Sequence, residues 1–154
     1  MTEKGIARLL RKRKLTIAVA ESCTGGLISS SLTDIPGSSG YMAGGVIVYS
    51  NRAKTRLLSV PADVILKYGA VSEQTALAMA RNVRRLFKTD IGLSVTGVAG
   101  PGGGSALKPV GTVFISISLK NQAYFKKFHF RGTRRKIKKR SQYAAFELLK
   151  ECLN

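Results

Sequence analysis

The sequence predicts an α/β protein, a three-layer α/β/α sandwich with a mixed, mostly parallel central sheet ending in an antiparallel hairpin. Three observations predict it. Short apolar segments at residues 16–20, 44–50 and 91–95 are separated by helical segments, which makes them parallel strands of one sheet. Two alternating segments, 111–119 and 123–130, are joined only by Lys120-Asn121-Gln122, a hairpin pattern. Residues 72–88 set Ala76, Met79, Ala80, Val83, Leu86 and Phe87 on one helical face, an apolar side for a sheet to cover.

Each element has its own local reason. The N-terminal stretch MTEKGIARLLRKRKL is basic with an apolar stripe at Ile6, Leu9 and Leu10, and reads as a short surface helix. Residues 16–20 are apolar after Thr16, as a strand buried on both faces must be. A helix is expected from Gly25 to about Thr33, closed by the turn-forming run 34–40. GGVIVYS, residues 44–50, is β-branched enough for a second strand, and Asn51 suits the N-cap of a helix through Leu58. Pro61 opens another helix ending near Gly69. After the 72–88 helix, the strand 91–95 runs into the glycine-rich TGVAGPGGGS. The hairpin follows, then a helix over 133–152 that is basic first and apolar later.

Length and composition narrow the function classes. The chain has 154 residues, which suits a single domain over 1–154. No apolar run reaches bilayer length, and the N-terminus lacks the apolar core of a secretory signal, so a cytoplasmic protein is expected. Two cysteines, Cys23 and Cys152, and one histidine, His129, support neither a disulfide framework nor a metal site. No cofactor is implied. Twenty-six Lys and Arg against eight Asp and Glu give a formal charge of +18, a field that attracts phosphorylated ligands, nucleic acid or anionic lipid. The cations concentrate at residues 11–14 and 131–140. Solvated helix faces also explain such runs.

Ligands of open α/β sheets bind outside the carboxyl ends of the strands, and three polar corners fall there. In AESCTGG, Ser22 sits at the passage from strand to helix, and Thr24, Gly25 and Gly26 offer backbone amides to a phosphate or an oxyanion. The same residues also suit a plain helix start, with Ser22 or Thr24 as cap. A serine needs a base. His129 is badly placed for that task in the strand YFKKFHF, whereas Lys54 lies one turn into the helix leaving the second strand, which Tyr49 closes. A partly buried lysine of lowered pKa can take the proton, with Tyr49 as relay. An exposed lysine and a core-capping tyrosine are the alternatives. Cys23 is a rival nucleophile or a small core residue. The third corner, with Thr96, Gly97, Gly100, Gly102, Gly103 and nearby Lys108, can nest a phosphate on its amides or serve as a flexible turn.

Together AESCTGG, GGVIVYSNRAK, GAVSEQT and TGVAGPGGGSALKPVGTV resemble the C-terminal domain of the CinA family, from about Thr16 to the last helix. The resemblance implies a nicotinamide-nucleotide amidase, which converts nicotinamide mononucleotide to nicotinate mononucleotide and ammonia in pyridine-nucleotide salvage. It implies a catalytic Ser22, Tyr49 and Lys54 and a substrate-binding arginine, Arg134, in a Gly-Asp-Arg element that here reads Gly132-Thr133-Arg134. A small-molecule nucleotide is then the expected partner, nucleic acid and membrane are not required, and a homodimer is expected on general grounds. A non-catalytic nucleotide-binding module and a basic nucleic-acid-binding protein are the competing classes. Neither explains Ser22, Tyr49 and Lys54.

Overall fold

The computed structural model describes residues 2–153. In chain order the elements are α1 (Glu3–Arg13), β1 (Ile17–Glu21), α2 (Leu27–Thr33), a 3-10 turn (Ser38–Gly40), β2 (Met42–Ile47), α3 (Asn51–Leu58), α4 (Ala62–Tyr68), α5 (Glu73–Phe87), β3 (Ile91–Gly97), β4 (Thr112–Ser118), β5 (Ala123–His129) and α6 (Arg134–Leu153). The strands form one sheet in the order β2-β1-β3-β4-β5. β1 runs parallel to both β2 and β3, with Glu21 level with Ile47 on one side and Val95 on the other. β3, β4 and β5 then pair antiparallel. The three-layer α/β/α sandwich is therefore present.

Alternation along β1 divides the core. Ile17 and Val19 pack with Ile6 and Leu10 of α1, Ile28 and Leu32 of α2, and Phe146 and Leu149 of α6. Ala18 and Ala20 face the other way, against Val48, Leu58 of α3, and Met79 and Val83 of α5. Small residues on that second face let α5 approach closely: a Cβ on Gly92 of β3 would strike the Ala80 carbonyl.

Several boundaries differ from the sequence expectation. β1 extends to Glu21, which is fully buried. β2 begins at Met42 and ends at Ile47, because pairing with β1 governs it more than the β-branched run over 46–48 does. Ser50, not Asn51, caps α3, its hydroxyl accepting the Ala53 amide at 3.0 Å. α2 starts at Leu27, two residues later than expected. The α5 stripe holds at Ala76, Met79, Ala80 and Val83, but Leu86 is exposed. The stripe of α1 is core: Ile6 and Leu10 are fully buried.

Candidate active site

The first corner is built on a buried carboxylate. Glu21 ends β1 pointing at the start of α2, and its two oxygens accept from the amides of Gly26 (3.0 Å), Ile28 (3.1 Å) and Ser29 (2.8 Å) and from the Ser29 hydroxyl (2.7 Å). It therefore satisfies the orphan donors of the helix start, the task expected of Ser22 or Thr24. Gly26 occupies the left-handed region at φ +96°, which lets the chain turn into α2 without the strain a Cβ would bring. The Gly25 amide donates to the Ser22 carbonyl at 3.1 Å. Both glycine amides are thus engaged inside the protein. Thr24 is fully buried, and its hydroxyl has no partner among the described residues.

This turn leaves Ser22 at the sheet edge, its amide fixed to the Val95 carbonyl of β3 at 3.0 Å. Lys54, one turn into α3, reaches back beneath β2. Its ammonium nitrogen lies 3.0 Å from Ser22 Oγ, 2.9 Å from the Val48 carbonyl and 3.3 Å from the Tyr49 carbonyl. The side chain is 1% exposed. Burial, with no carboxylate among the described residues in contact with the nitrogen, lowers its pKa from the ordinary lysine value of 10.5. A neutral lysine has two N–H bonds and one lone pair. Three oxygens surround the nitrogen, matching the three N–H of the charged form; in the neutral form two N–H serve the carbonyls and the lone pair is free to take the Ser22 proton.

Cys23 takes no part in this contact. It is packed among core side chains, and desolvation pushes its thiol up to about 12. At neutral pH it is a thiol, not a thiolate. His129 is exposed on β5, the far edge of the sheet from β2.

A cavity of about 180 Å³ opens over Ser22 and Lys54. Cys23 also lines it, with Tyr49 and Asn51, Ala70 and Val71, and Thr96, Gly97 and Ala99. The Thr96 hydroxyl donates to the Ala70 carbonyl at 2.8 Å and so ties two walls together. Asn51 and the Ala70-Val71 pair were not singled out as site residues in the sequence. Their signal was position, next to the second corner and inside GAVSEQT.

The remaining candidates divide. Tyr49 is 59% exposed, and its phenol accepts from Arg134 at 2.6 Å; its main-chain carbonyl, not the phenol, accepts from Lys54. Arg134 also donates to the Gly100 carbonyl at 2.7 Å, so α6, the glycine-rich loop and the segment between β2 and α3 meet at one guanidinium. Gly100 sits at φ +78°, and a Cβ there would strike Val110. Lys108 donates to the Tyr68 carbonyl at 2.6 Å, at the end of α4. Gly102 and Gly103 are exposed at the loop tip, away from the cavity lining.

A family model described as "CinA C-terminal domain" matches residues 1–153. A CinA-like protein of Syntrophus aciditrophicus is 53% identical over 152 residues, which is 98% of this chain and 36% of that protein. A putative competence-damage inducible protein of Desulforudis audaxviator is 43% identical over 152 residues, 99% of this chain and 37% of that one. The chain thus spans little more than a third of the length of these relatives. Among solved structures, the competence/damage inducible protein CihA from Agrobacterium tumefaciens superposes with a TM-score of 0.94 at 38% identity, over 99% of this chain and 93% of that one. A CinA superfamily protein from Klebsiella pneumoniae gives 0.95 at 30% identity, over 98% and 94%.

Proposed function

This chain belongs to the CinA C-terminal domain family, and from that premise we propose that it is an amidohydrolase acting on the carboxamide of nicotinamide mononucleotide. The observation that carries the reading is the buried, uncompensated Lys54 amine at 3.0 Å from Ser22 Oγ. A lysine without a counter-ion is costly to bury, and such perturbed groups collect at functional sites. As neutral amine, Lys54 accepts the Ser22 proton while the oxygen attacks the amide carbon. Lys54 then returns the proton to the leaving nitrogen, so that ammonia departs and an ester remains on Ser22. Water, deprotonated by the same amine, cleaves that ester to the nucleotide acid and regenerates the serine.

The developing oxyanion needs donors near Ser22. Because the Gly25 and Gly26 amides are engaged and the Cys23 amide faces its own sulfur, this role falls to the Thr24 amide at the same turn. Tyr49 and Arg134 act as a pair at the cavity mouth, where the guanidinium meets the substrate phosphate and the phenol fixes its direction. The family name of the relatives does not specify this chemistry; the Ser22–Lys54 contact supports it.

The test is ammonia release from nicotinamide mononucleotide by the purified protein beside Ser22→Ala and Lys54→Ala. Loss of activity by orders of magnitude in both is expected, as for members of one catalytic unit. An active Ser22→Ala variant refutes the mechanism. An inactive wild type that still binds the nucleotide favours a binding module.

A further inference from the structure

α1 and α6 together carry twelve of the 26 Lys and Arg, against seven in α3, α4 and α5. α1, α2 and α6 cover the same face of the sheet. α2, only seven residues long, has a groove at each end. At its N-terminal end, Leu27 borders a groove of about 830 Å³ with Arg134, Arg135, Lys136, Lys138 and Lys139 of α6. At its C-terminal end, residues 34–36 border one of about 640 Å³ with Lys4, Arg8, Arg11 and Lys12 of α1. Asp34 is the only acid in either lining. Positions 4, 8, 11 and 12 share one side of α1, and all four residues are exposed. Nothing in the amide chemistry requires the second groove.

We infer that the α1–α2–α6 face is a binding surface for duplex nucleic acid, seating one phosphate strand in each groove. Seven helical residues between the grooves correspond to roughly 10 Å, comparable with the ~12 Å width of a DNA major groove. Besides Arg134, which is held by Tyr49 and Gly100, eight cations line the two grooves, which gives one ligand many simultaneous charge contacts, as a repeating polyanion requires. An anionic membrane is the poorer fit. A membrane-lying helix exposes an apolar side, whereas the apolar side of α1, at Ile6, Ala7 and Leu10, is buried in the core. Single strands are also a poorer fit, because Tyr143 of α6 is the one large exposed hydrophobic side chain on α1, α2 and α6 among the described residues, too few for a run of stacked bases. Recognition is then of backbone, without base reading.

The experiment is fluorescence anisotropy of a short labelled DNA duplex titrated with the full chain across salt concentrations. Wild type is compared with Arg8→Ala/Lys12→Ala/Lys136→Ala/Lys139→Ala. The control is Arg56→Ala/Lys67→Ala/Arg81→Ala/Arg85→Ala, which removes equal charge from α3, α4 and α5 on the opposite layer. The first variant is expected to bind at least about tenfold more weakly, with a log–log salt slope shallower by about 3 to 4. The control is expected to keep most of both. Thermal melting of each variant checks folding. If the quadruple variant is unfolded, Arg8→Ala/Lys12→Ala alone is expected to lower the slope by about 2. Equal losses in both variants, binding of phosphatidylserine vesicles without duplex binding, or no duplex binding by wild type each overturn the inference. None of these outcomes bears on ammonia release, so this proposal and the amidase reading fail separately.

Discussion

Changing Glu21 to Gln replaces one carboxylate oxygen by an amide NH₂ at a place where every neighbour donates. Each oxygen now accepts two bonds: Gly26 and Ile28 amides on one, the Ser29 amide and hydroxyl on the other. The least damaging rotamer keeps the carbonyl on Gly26 and Ile28 and points the NH₂ at Ser29. The Ser29 hydroxyl can rotate to accept, but the Ser29 amide cannot, so one buried donor is left facing another. Losing a charge-assisted bond costs about 1.5–3 kcal/mol, and the three surviving contacts weaken when the charge goes. The sum is about 2–4 kcal/mol of stability. With a urea m-value of roughly 2 kcal/mol/M, the unfolding midpoint should fall by about 1–2 M. Equilibrium urea unfolding followed by far-UV circular dichroism measures it. A midpoint within about 0.25 M of wild type refutes the claim that this carboxylate closes the helix start. Ser22 is the next residue, so the same variant should release ammonia more slowly even where it is fully folded.

Other outcomes follow from the site. The pH profile of kcat/KM should rise with pH and level off below 10.5, because burial lowers Lys54 and only its neutral form accepts the proton; a rate independent of pH down to acid conditions contradicts this. Iodoacetamide should leave the folded enzyme active at neutral pH, since the Cys23 thiol is buried and pushed up to about 12; rapid inactivation with alkylated Cys23 would overturn that. Arg134→Ala should raise KM by about tenfold or more with a smaller change in kcat, as expected for a residue that holds the substrate phosphate and the Tyr49 phenol; an unchanged KM removes Arg134 from binding.

The fold was legible because its signals were periodic: two alternating segments for the hairpin, and the Ala76, Met79, Ala80, Val83 stripe for α5. β2 was set two residues late at its start and three at its end: Met42 and Ala43 carry little strand propensity and join the strand only by pairing with β1, whereas Val48 has the propensity but lies beyond the paired register. At the site, the topological rule of strand ends brought Ser22 and Lys54 together across 32 residues of sequence. Direction was not legible. Whether Tyr49 turns its phenol or its carbonyl toward Lys54 depends on where β2 ends, and the carbonyl is what meets it. Glu21 was hidden for a similar reason: an acid after an apolar run reads as a solvent-facing strand end, and its four donors come from residues five to eight positions ahead. The glycine-rich loop looked like a phosphate nest by composition, yet Gly100 and Gly104 fold back on Val110, a contact that composition cannot foretell.

The central claim, a serine acylated with help from a neutral lysine, is tested most directly by acid-quenching the enzyme during turnover of nicotinamide mononucleotide. Peptide mass spectrometry then locates any nicotinate mononucleotide ester. The account predicts the ester on Ser22 in wild type and none in Lys54→Ala. A thioester on Cys23, or a Ser22 ester formed at undiminished rate without Lys54, contradicts it.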